Sequence, residues 1–404
     1  MNQLNESIIP SDARHDILLD YRNTKMARSP HAYMRGNTAQ FYEWLQKQRG
    51  HTLPDGPPIW TCGDCHMGNL GPLGDAEGNV EFEIRDFDQT VIGNPANDLL
   101  RLALSLATAA RGSSLPGVMT AQMLEHMMRG YTQAFVTQSD KDQVFRPEAV
   151  RWAMRKAIKR SWNKMAKERI ANMRPSIPLG KNFWPLSPAE KVEISKLFAL
   201  PAVLKLVTSL KSRHHDTQVK VLDAAYWVKG CSSLGLLRYA VLLDVGDKKN
   251  GEYCLIDIKQ AIKSTAPQYS HVSMPRDNAR RVIAGAQQLS PALGERMVAQ
   301  RFLEHSVFLR ELLPQDMKLE IDHFTLADAT KVAHYLAYVV GRAHARQMDD
   351  ATRKRWCDDL NLDRSKALAP PTWLWKSMVQ LVANHEAGYL EHCRKYALLK
   401  PSTI

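Results

Sequence analysis

A stretch of strand-like sequence at residues 218–262 interrupts a chain whose pattern is otherwise mostly helical. Short apolar runs separated by glycine-rich turns predict strand, turn, strand, turn, strand, with Lys249–Asn250–Gly251 as the second turn. Residues 11–50, 97–174 and 278–399 have mainly helical spacing of apolar residues, apart from a predicted strand at 307–312. The sequence therefore predicts an α+β protein, mainly helical, with a small antiparallel sheet late in the chain.

A second strand-like segment lies earlier, at residues 57–92. Its apolar runs at 59–62 and 80–84 are separated by glycine-rich sequence, and residues 75–79 carry hairpin-turn chemistry. An Ala- and Leu-rich helix is expected to follow at 97–111, with Asn97 or Asp98 near its start.

Composition limits the class of protein. The chain has 404 residues, 44% of them hydrophobic, which is enough for a packed core and excludes a wholly disordered chain. The net charge of +12 favours an anionic partner, such as nucleic acid, acidic lipid or a phosphorylated small molecule. No apolar run reaches the roughly 18 residues of a membrane span. The opening residues do not form a signal peptide, and six cysteines are too few for a disulfide scaffold, so a cytoplasmic location is expected.

Chemically active residue types concentrate at residues 63–98. Asp64 and Asn69 are five residues apart, Asp86 and Asp88 follow a predicted strand, and Asp98 opens a predicted helix. Mg²⁺ prefers a few hard oxygen ligands and leaves its other positions to phosphate and water. The segment therefore predicts a magnesium–phosphate site. An ordinary turn is the alternative for Asp64 and Asn69, and solvent-facing strand ends are the alternative for the other pair.

The segments GDCHMGN, IRDFDQT and GNPANDLLRLA resemble the catalytic motifs of aminoglycoside and choline kinases. The resemblance implies that Asp64 is the catalytic residue and that Asn69 and Asp86, with Asp88, hold Mg²⁺. Cys62 stands where the motif has its first histidine. The interval between the asparagine and the metal-binding aspartate is also longer here.

The whole chain resembles a bacterial family known as domain of unknown function 2252. The matching segments are spread over most of the chain: KMARSPHAYMRG, the motif block at 63–111, VKGCSSLG, LIDIKQA, FLRELLPQDMK and GRAHARQMD. The family name implies no activity.

VKGCSSLG, between two predicted strands, resembles a glycine-rich phosphate loop, and Lys259 lies at the end of a later strand, as the nucleotide-binding lysine of kinases does. These residues imply bound ATP. The loop residues expected to contact it are Gly230, Ser232, Ser233 and Gly235. A strand-end lysine whose stem covers apolar surface is the alternative for Lys259.

The glycine-rich loop follows the catalytic motif in this chain, whereas it precedes that motif in kinases. We therefore expect a circularly permuted, two-lobed, kinase-like fold. Residues 1–205 form the helical lobe, 206–320 the sheet lobe, and 321–404 return to the helical lobe.

Three residues are supporting candidates. His66 either contacts phosphate or shapes its loop, Asp98 caps its helix or braces the loop, and Arg35 either clamps an anion or forms a surface ion pair. No glutamate stands out as the partner of Lys259, since Ala284 occupies the expected place and Glu295 and Glu304 fit only by spacing.

These features predict an ATP- and Mg²⁺-dependent phosphotransferase with an unidentified, anionic acceptor. Transfer of AMP and nucleotide binding without catalysis are alternatives. A third is nucleic-acid binding through the basic helix at 147–169, which carries eight Lys or Arg from Arg151 to Arg169. A solvated basic face, with Trp and Met packed inward, is the other interpretation of that helix.

Overall fold

The computed structural model describes the chain in segments, and every structural statement below concerns these residues: 9–48, 53–136, 145–159, 176–208, 217–246, 252–316, 326–361 and 370–397. The predicted turn at 249–251 and the second half of the basic helix lie outside them.

The first part of the chain combines helices with two small antiparallel pairs of strands. Strand β1 pairs with β4, and β2 pairs with β3 through the hairpin predicted around residues 75–79. The elements are α1 (Ser11–Met26), α2 (Pro30–Gly36), α3 (Thr38–Lys47), β1 (Ile59–Thr61), β2 (Leu70–Gly74), β3 (Val80–Ile84), β4 (Val91–Gly93), α4 (Ala96–Gly112), α5 (Gly117–Val136) and α6 (Glu148–Ile158).

A six-stranded antiparallel sheet dominates the second part, with strand order β5-β6-β7-β8-β10-β9. Strand β9 was missed by the sequence analysis, which expected helix there. The elements are β5 (Phe183–Trp184), α7 (Pro188–Leu197), α8 (Pro201–Val207), β6 (Val219–Trp227), β7 (Arg238–Val245), β8 (Glu252–Gln260), α9 (Asn278–Leu289), α10 (Pro291–Gly294), β9 (Met297–Phe302) and β10 (His305–Leu312).

Three helices complete the described chain and return to its first part. They are α11 (Leu326–Ala345), α12 (Asp350–Leu360) and α13 (Thr372–Tyr396). Helix α11 packs along α5, and α13 packs against α4. The described residues therefore form an α+β protein, as predicted. None of their helices is long and apolar enough to cross a membrane.

Two apolar cores organise the molecule. The larger core joins α3, α4, α5 and α11 to the small strand pairs and to α9. The other core lies on one face of the six-stranded sheet, where alternate residues such as Ile256 and Ile258 pack against α1, α7 and α8. Helices α7 and α8 share this core with the sheet. The packing therefore groups residues that precede the predicted lobe boundary at 205 with the sheet.

Buried polar contacts secure this second core. Ser187 and Glu190 form a capping box at the start of α7. The same glutamate accepts a 2.5 Å hydrogen bond from Arg14 of α1 and another, 2.9 Å long, from the hydroxyl of Tyr239 in β7. Helix α1 is thereby tied to the sheet, although the sequence analysis assigned it to the helical lobe.

Candidate functional site

Asp98 anchors the loop at residues 62–69, which joins β1 to β2, through hydrogen bonds to its backbone. Its carboxylate accepts hydrogen bonds from the backbone N–H of Cys62 (2.7 Å) and of Gly63 (2.9 Å). Asp98 lies in the first turn of α4, is completely buried, and is not the N-cap, which is Pro95. Asp98 is therefore a brace for the loop, and the alternative prediction of a helix cap is wrong.

A chain of buried side chains continues from Asp98. His344 Nε2 lies 3.2 Å from Asp98 Oδ2, and His344 Nδ1 lies 2.8 Å from the hydroxyl of Tyr131, which accepts a 3.0 Å hydrogen bond from Trp356 Nε1. Because the indole can only donate, the Tyr131 hydroxyl donates to Nδ1 and the other ring nitrogen donates to Asp98. Helices α5, α11 and α12 thus converge on the loop.

Asp64 forms a buried ion pair at the centre of this loop. Its Oδ1 accepts a 2.8 Å hydrogen bond from Nε of Arg101 in α4, whose side chain is 1% exposed. Arg101 also donates to the backbone oxygen of Met34 and to Thr38. Burial raises the pKa of Asp64, and the guanidinium opposes that rise. One oxygen of the predicted catalytic carboxylate is therefore occupied, and Oδ2 remains.

His66 and Asn69 shape the rest of the loop. His66 Nδ1 accepts from the N–H of Gly68 (3.1 Å), and Nε2 lies 3.8 Å from Asp64 Oδ2. Burial holds the pKa of His66 well below its usual value, with Arg35 adding to the effect, so the ring is neutral near pH 7. Asn69 donates its amide N–H to the backbone oxygen of Asp64 at 2.9 Å, which leaves the amide oxygen for another ligand.

Lys259, on β8, lies against the two aspartates that follow β3. Its Nζ contacts Asp88 Oδ2 and lies 3.5 Å from Asp86 Oδ1. Lys259 holds the pKa of Asp86 far below its ordinary value against the effect of burial. Burial and the neighbouring Asp86 carboxylate raise the pKa of Asp88 to about 6. The sheet and the motif block thus meet at one charged cluster.

Helix α9 supplies no acid to Lys259. It supplies Arg281, which donates to the backbone oxygens of Thr90, Asp88 and Ile262. Glu304, proposed from spacing, is fully exposed in the β9–β10 turn and lies near Arg301. That assignment is wrong for Glu304, because Asp88 is the carboxylate that contacts the lysine.

The glycine-rich turn between β6 and β7 faces the same site. Gly230 has φ +100°, and a Cβ there would lie 2.4 Å from Ser233 Oγ, so only glycine fits without displacement. Ser233 is buried and donates to the backbone oxygen of Lys229 (3.3 Å), whereas Ser232 is exposed. Gly235, with φ +94°, instead contacts His15 of α1 through its backbone oxygen.

The second face of the sheet is charged where it approaches the motif block. Arg238 of β7 pairs in register with Lys259, and Arg310 of β10 pairs with Asp257. Arg238 donates two hydrogen bonds to Asp257, of 2.9 and 2.6 Å. Alternation along the strands therefore places apolar residues in the core and charged residues towards the loop.

A cavity of about 260 Å³ lies between the sheet and the 62–69 loop. Predicted residues from both parts of the chain line it together. They are Arg35, Asp64, His66, Asn69, Asp86, Gly230, Ser232 and Ser233. Four predicted residues do not line it: Asp88, Asp98, Gly235 and Lys259. Of these, Asp88 and Lys259 each contact the lining residue Asp86.

The donor set suits a phosphate-bound Mg²⁺ better than a protein-only metal site. Among the described residues, no group of three or more His, Cys, Asp and Glu side chains could hold a metal ion. Mg²⁺ bound with phosphates needs only one or two carboxylates from the protein. The Asn69 amide oxygen, the half-exposed Asp86 and the unpartnered Oδ1 of Asp88 fit that need.

The described part of the basic helix differs from the interpretation as a solvated basic face with Trp and Met packed inward. Trp152 of α6 is 53% exposed, and the ammonium of Lys156 lies 4.6 Å from its ring centroid. Of the two residues Trp152 and Met154, only Met154 packs inward. The helix therefore exposes both charge and an aromatic ring, and its continuation to Arg169 lies outside the described residues.

Arg101, His344 and Arg85 were missed as site residues. A sequence signal exists for Arg101, because a charged residue within the apolar run of α4 must be buried and therefore paired. Arg85 and His344 lie in the segments IRDFDQT and GRAHARQMD, which carry the resemblances, but their partners come from distant parts of the chain and so have no sequence signal.

Fold and site together define an α+β protein whose helical core and sheet meet at a charged cavity. The chain belongs to DUF2252, a family described as uncharacterized proteins conserved in bacteria, which matches residues 14–395. No curated protein and no solved structure matches the chain.

Proposed function

We propose that this protein is an ATP- and Mg²⁺-dependent phosphotransferase with a circularly permuted, kinase-like arrangement. One observation carries the proposal: Lys259 lies within contact of Asp86 and Asp88, beside a cavity that Asp64 and the turn at Gly230 both line. A strand lysine, a glycine-rich turn and an Asp-Asn-Asp set are the parts that phosphoryl transfer requires.

The order of elements in the sheet supports the kinase-like arrangement. The glycine-rich turn joins β6 to β7, Lys259 follows on β8, and helix α9 and two further strands come next. Kinases likewise place the glycine-rich loop before the strand lysine and a helix after it. Because the 62–69 loop precedes this unit, the chain order is permuted.

Each residue has a proposed role. Asp64 orients the acceptor hydroxyl through Oδ2 and accepts its proton. The hydroxyl oxygen bonds to the γ-phosphorus, the bond from that phosphorus to the bridging oxygen breaks, and ADP leaves. Lys259 neutralises the α- and β-phosphates. The backbone N–H groups of the turn at Gly230 approach the phosphate oxygens.

Asn69 and Asp86 would hold Mg²⁺, with Asp88 positioned to share it or to orient Lys259. Bound Mg²⁺ would supply charge neutralisation of the transferring phosphate. Asp88 takes the place of the helix glutamate of kinases, because α9 offers no acid to the lysine.

Binding of Mg–AMP-PNP, measured by calorimetry, tests the proposal without knowledge of the acceptor. We expect binding to wild type and to Asp64→Asn, and loss of Mg²⁺-dependent binding in Asp86→Asn. Slow release of ADP from ATP should disappear in Asp64→Asn. No binding of Mg–AMP-PNP by the wild-type protein would contradict the proposal.

Nucleotide binding without catalysis is the second candidate. The observation in its favour is the 2.8 Å hydrogen bond between Arg101 and Asp64, which occupies one carboxylate oxygen and opposes the rise in the pKa of Asp64 that burial causes. Mg–AMP-PNP binding combined with ADP release that is equal in wild type and Asp64→Asn would favour this candidate over the enzyme.

A further inference from the structure

Three arginines from separate elements line the cavity, and among the described residues only Arg310 has a carboxylate within 4 Å, that of Asp257, which it shares with Arg238. Arg35 lies in the last turn of α2, Arg85 follows β3, and Arg310 lies on β10. The Nε atom of each is buried and has no hydrogen-bond partner among the described residues. These three side chains are named the arginine cluster below.

The arginine cluster makes few contacts that offset its positive charge. Arg85 donates to the backbone oxygen of Asp316 (3.2 Å), and Arg310 donates to the backbone oxygen of Arg85 (3.1 Å). The carboxylate nearest to Arg310 is Asp257, 3.5 Å away, which already accepts two hydrogen bonds from Arg238. The cluster therefore carries more positive charge than the described protein neutralises.

Burying an unpaired cation is costly unless a ligand compensates for it. At Arg85 burial lowers the pKa of the guanidinium to about 10; the carboxylates of Asp316 and Asp86 oppose this shift, and the positive charges of Arg310 and Arg296 add to it. The acids that line the cavity are already engaged: Asp64 with Arg101, Asp86 with Lys259, and Asp316 with Arg296. Among the described residues no further carboxylate lines the cavity, and an anion from outside them would compensate the remaining charge.

We propose that the arginine cluster binds the phosphate group of a small phosphorylated acceptor. A phosphate monoester carries close to two negative charges and three acceptor oxygens, which match guanidinium donors arriving from three directions better than one carboxylate would. The cavity of about 260 Å³ suits a small molecule. That this anion is the acceptor, with a hydroxyl directed at Asp64, rests on the proposed phosphotransferase function.

The arginine cluster consists of other residues than those proposed to bind the nucleotide. Lys259, the turn at Gly230 and the Asp86 carboxylate account for a metal-bound triphosphate, and none of them belongs to the cluster. Members of both groups line one cavity, and Arg85 directly precedes Asp86, so the proposal requires that phosphate still binds when Mg–AMP-PNP occupies the nucleotide contacts. The experiment measures phosphate binding in the presence of the nucleotide.

Calorimetric titration with inorganic phosphate, in the absence and presence of saturating Mg–AMP-PNP, tests the proposal. We expect phosphate to bind in both conditions, and Arg85→Gln and Arg310→Gln each to weaken it by roughly tenfold, as loss of a charged hydrogen bond does. Arg301→Gln is the control, because this exposed arginine lies on β9 of the same sheet. Arg85→Lys keeps the positive charge and should bind phosphate more tightly than Arg85→Gln. It provides the test of the charge in the event that Arg85→Gln does not fold.

The outcomes separate the two proposals. Absence of phosphate binding, or equal affinity in wild type, Arg85→Gln and Arg310→Gln, would overturn the anion site. Phosphate binding that Mg–AMP-PNP abolishes would assign the arginines to the nucleotide and overturn only the acceptor. Phosphate binding that depends on the arginines, without any Mg–AMP-PNP binding, would support the anion site and overturn the phosphotransferase.

Discussion

Nζ of Lys259 lies 3.5 Å from Oδ1 of Asp86, although the two residues belong to β8 and to the loop after β3. This contact joins the sheet to the motif block and creates the shared cavity. Substitution of Lys259 is therefore the most direct test of whether the sheet and the motif block form one nucleotide site.

Lys259→Met should weaken Mg–AMP-PNP binding by at least about tenfold, because a buried ammonium that faces phosphate is removed. Lys263→Met is the matched control, since Lys263 is exposed shortly after the same strand. Calorimetric titration measures both. Equal affinity in the two variants would show that Lys259 is only a structural partner of the aspartates.

Arg101→Ala should destabilise the protein by about 3–5 kcal/mol, because breaking a buried ion pair leaves the Asp64 carboxylate uncompensated. Arg111→Ala on the same helix should cost only about 0–1 kcal/mol, since Arg111 is 57% exposed in its pair with Glu386. Urea unfolding at pH 7 compares them. A similar loss in both variants would argue that Arg101 contributes packing and not charge.

Tyr131→Phe should cost about 1–3 kcal/mol, because it leaves Trp356 Nε1 and His344 Nδ1 buried without a partner. Tyr389→Phe removes a hydroxyl that bonds to the backbone oxygen of Ala27 at a half-buried position, and should cost about 1 kcal/mol or less. Thermal and urea unfolding report the difference. If the network positions the 62–69 loop, Tyr131→Phe also weakens Mg–AMP-PNP binding.

Gly230→Ala should impair nucleotide binding, because φ of +100° and a Cβ contact of 2.4 Å with Ser233 both oppose a side chain. Gly78→Ala is the control for strain alone: its φ is +87°, but nothing lies within 4 Å of a Cβ there. The first variant should lose several-fold in Mg–AMP-PNP affinity and the second none. Unchanged affinity in Gly230→Ala would remove the turn from the site.

Mg–AMP-PNP binding should weaken as the pH falls below 6, because Asp88 has its pKa raised to about 6 by burial and by Asp86. Above that pH the carboxylate is charged and pairs with Lys259. Below it, protonation removes the charge, and the affinity should fall by about tenfold per pH unit at most.

Asp88→Asn is the comparison for this pH dependence. Its affinity should be lower than wild type at pH 7.5 and nearly flat between pH 5 and 7. A wild-type profile that is also flat over this range would contradict a role for the Asp88 charge in binding.

The sequence by itself determined the local parts. Short apolar runs separated by glycine-rich turns predicted β6, β7 and β8 correctly, and the turn residues near Asp75 predicted the hairpin, because turn chemistry is local to the chain. Strand β9 was missed, since its burial is uneven and its partner β10 is what stabilises it.

Only the tertiary structure decided how those parts meet. The partner of Lys259 is Asp88 and not a glutamate of α9, the partner of Asp64 is Arg101, and the arginine cluster lines one cavity. These outcomes depend on electrostatic compensation between groups far apart in the chain, which spacing cannot reveal because burial determines which charges must find a partner. The sequence identified the acids of this site together with Lys259 and Arg35, and only the tertiary structure showed that Arg101, Arg85 and Arg310 lie with them.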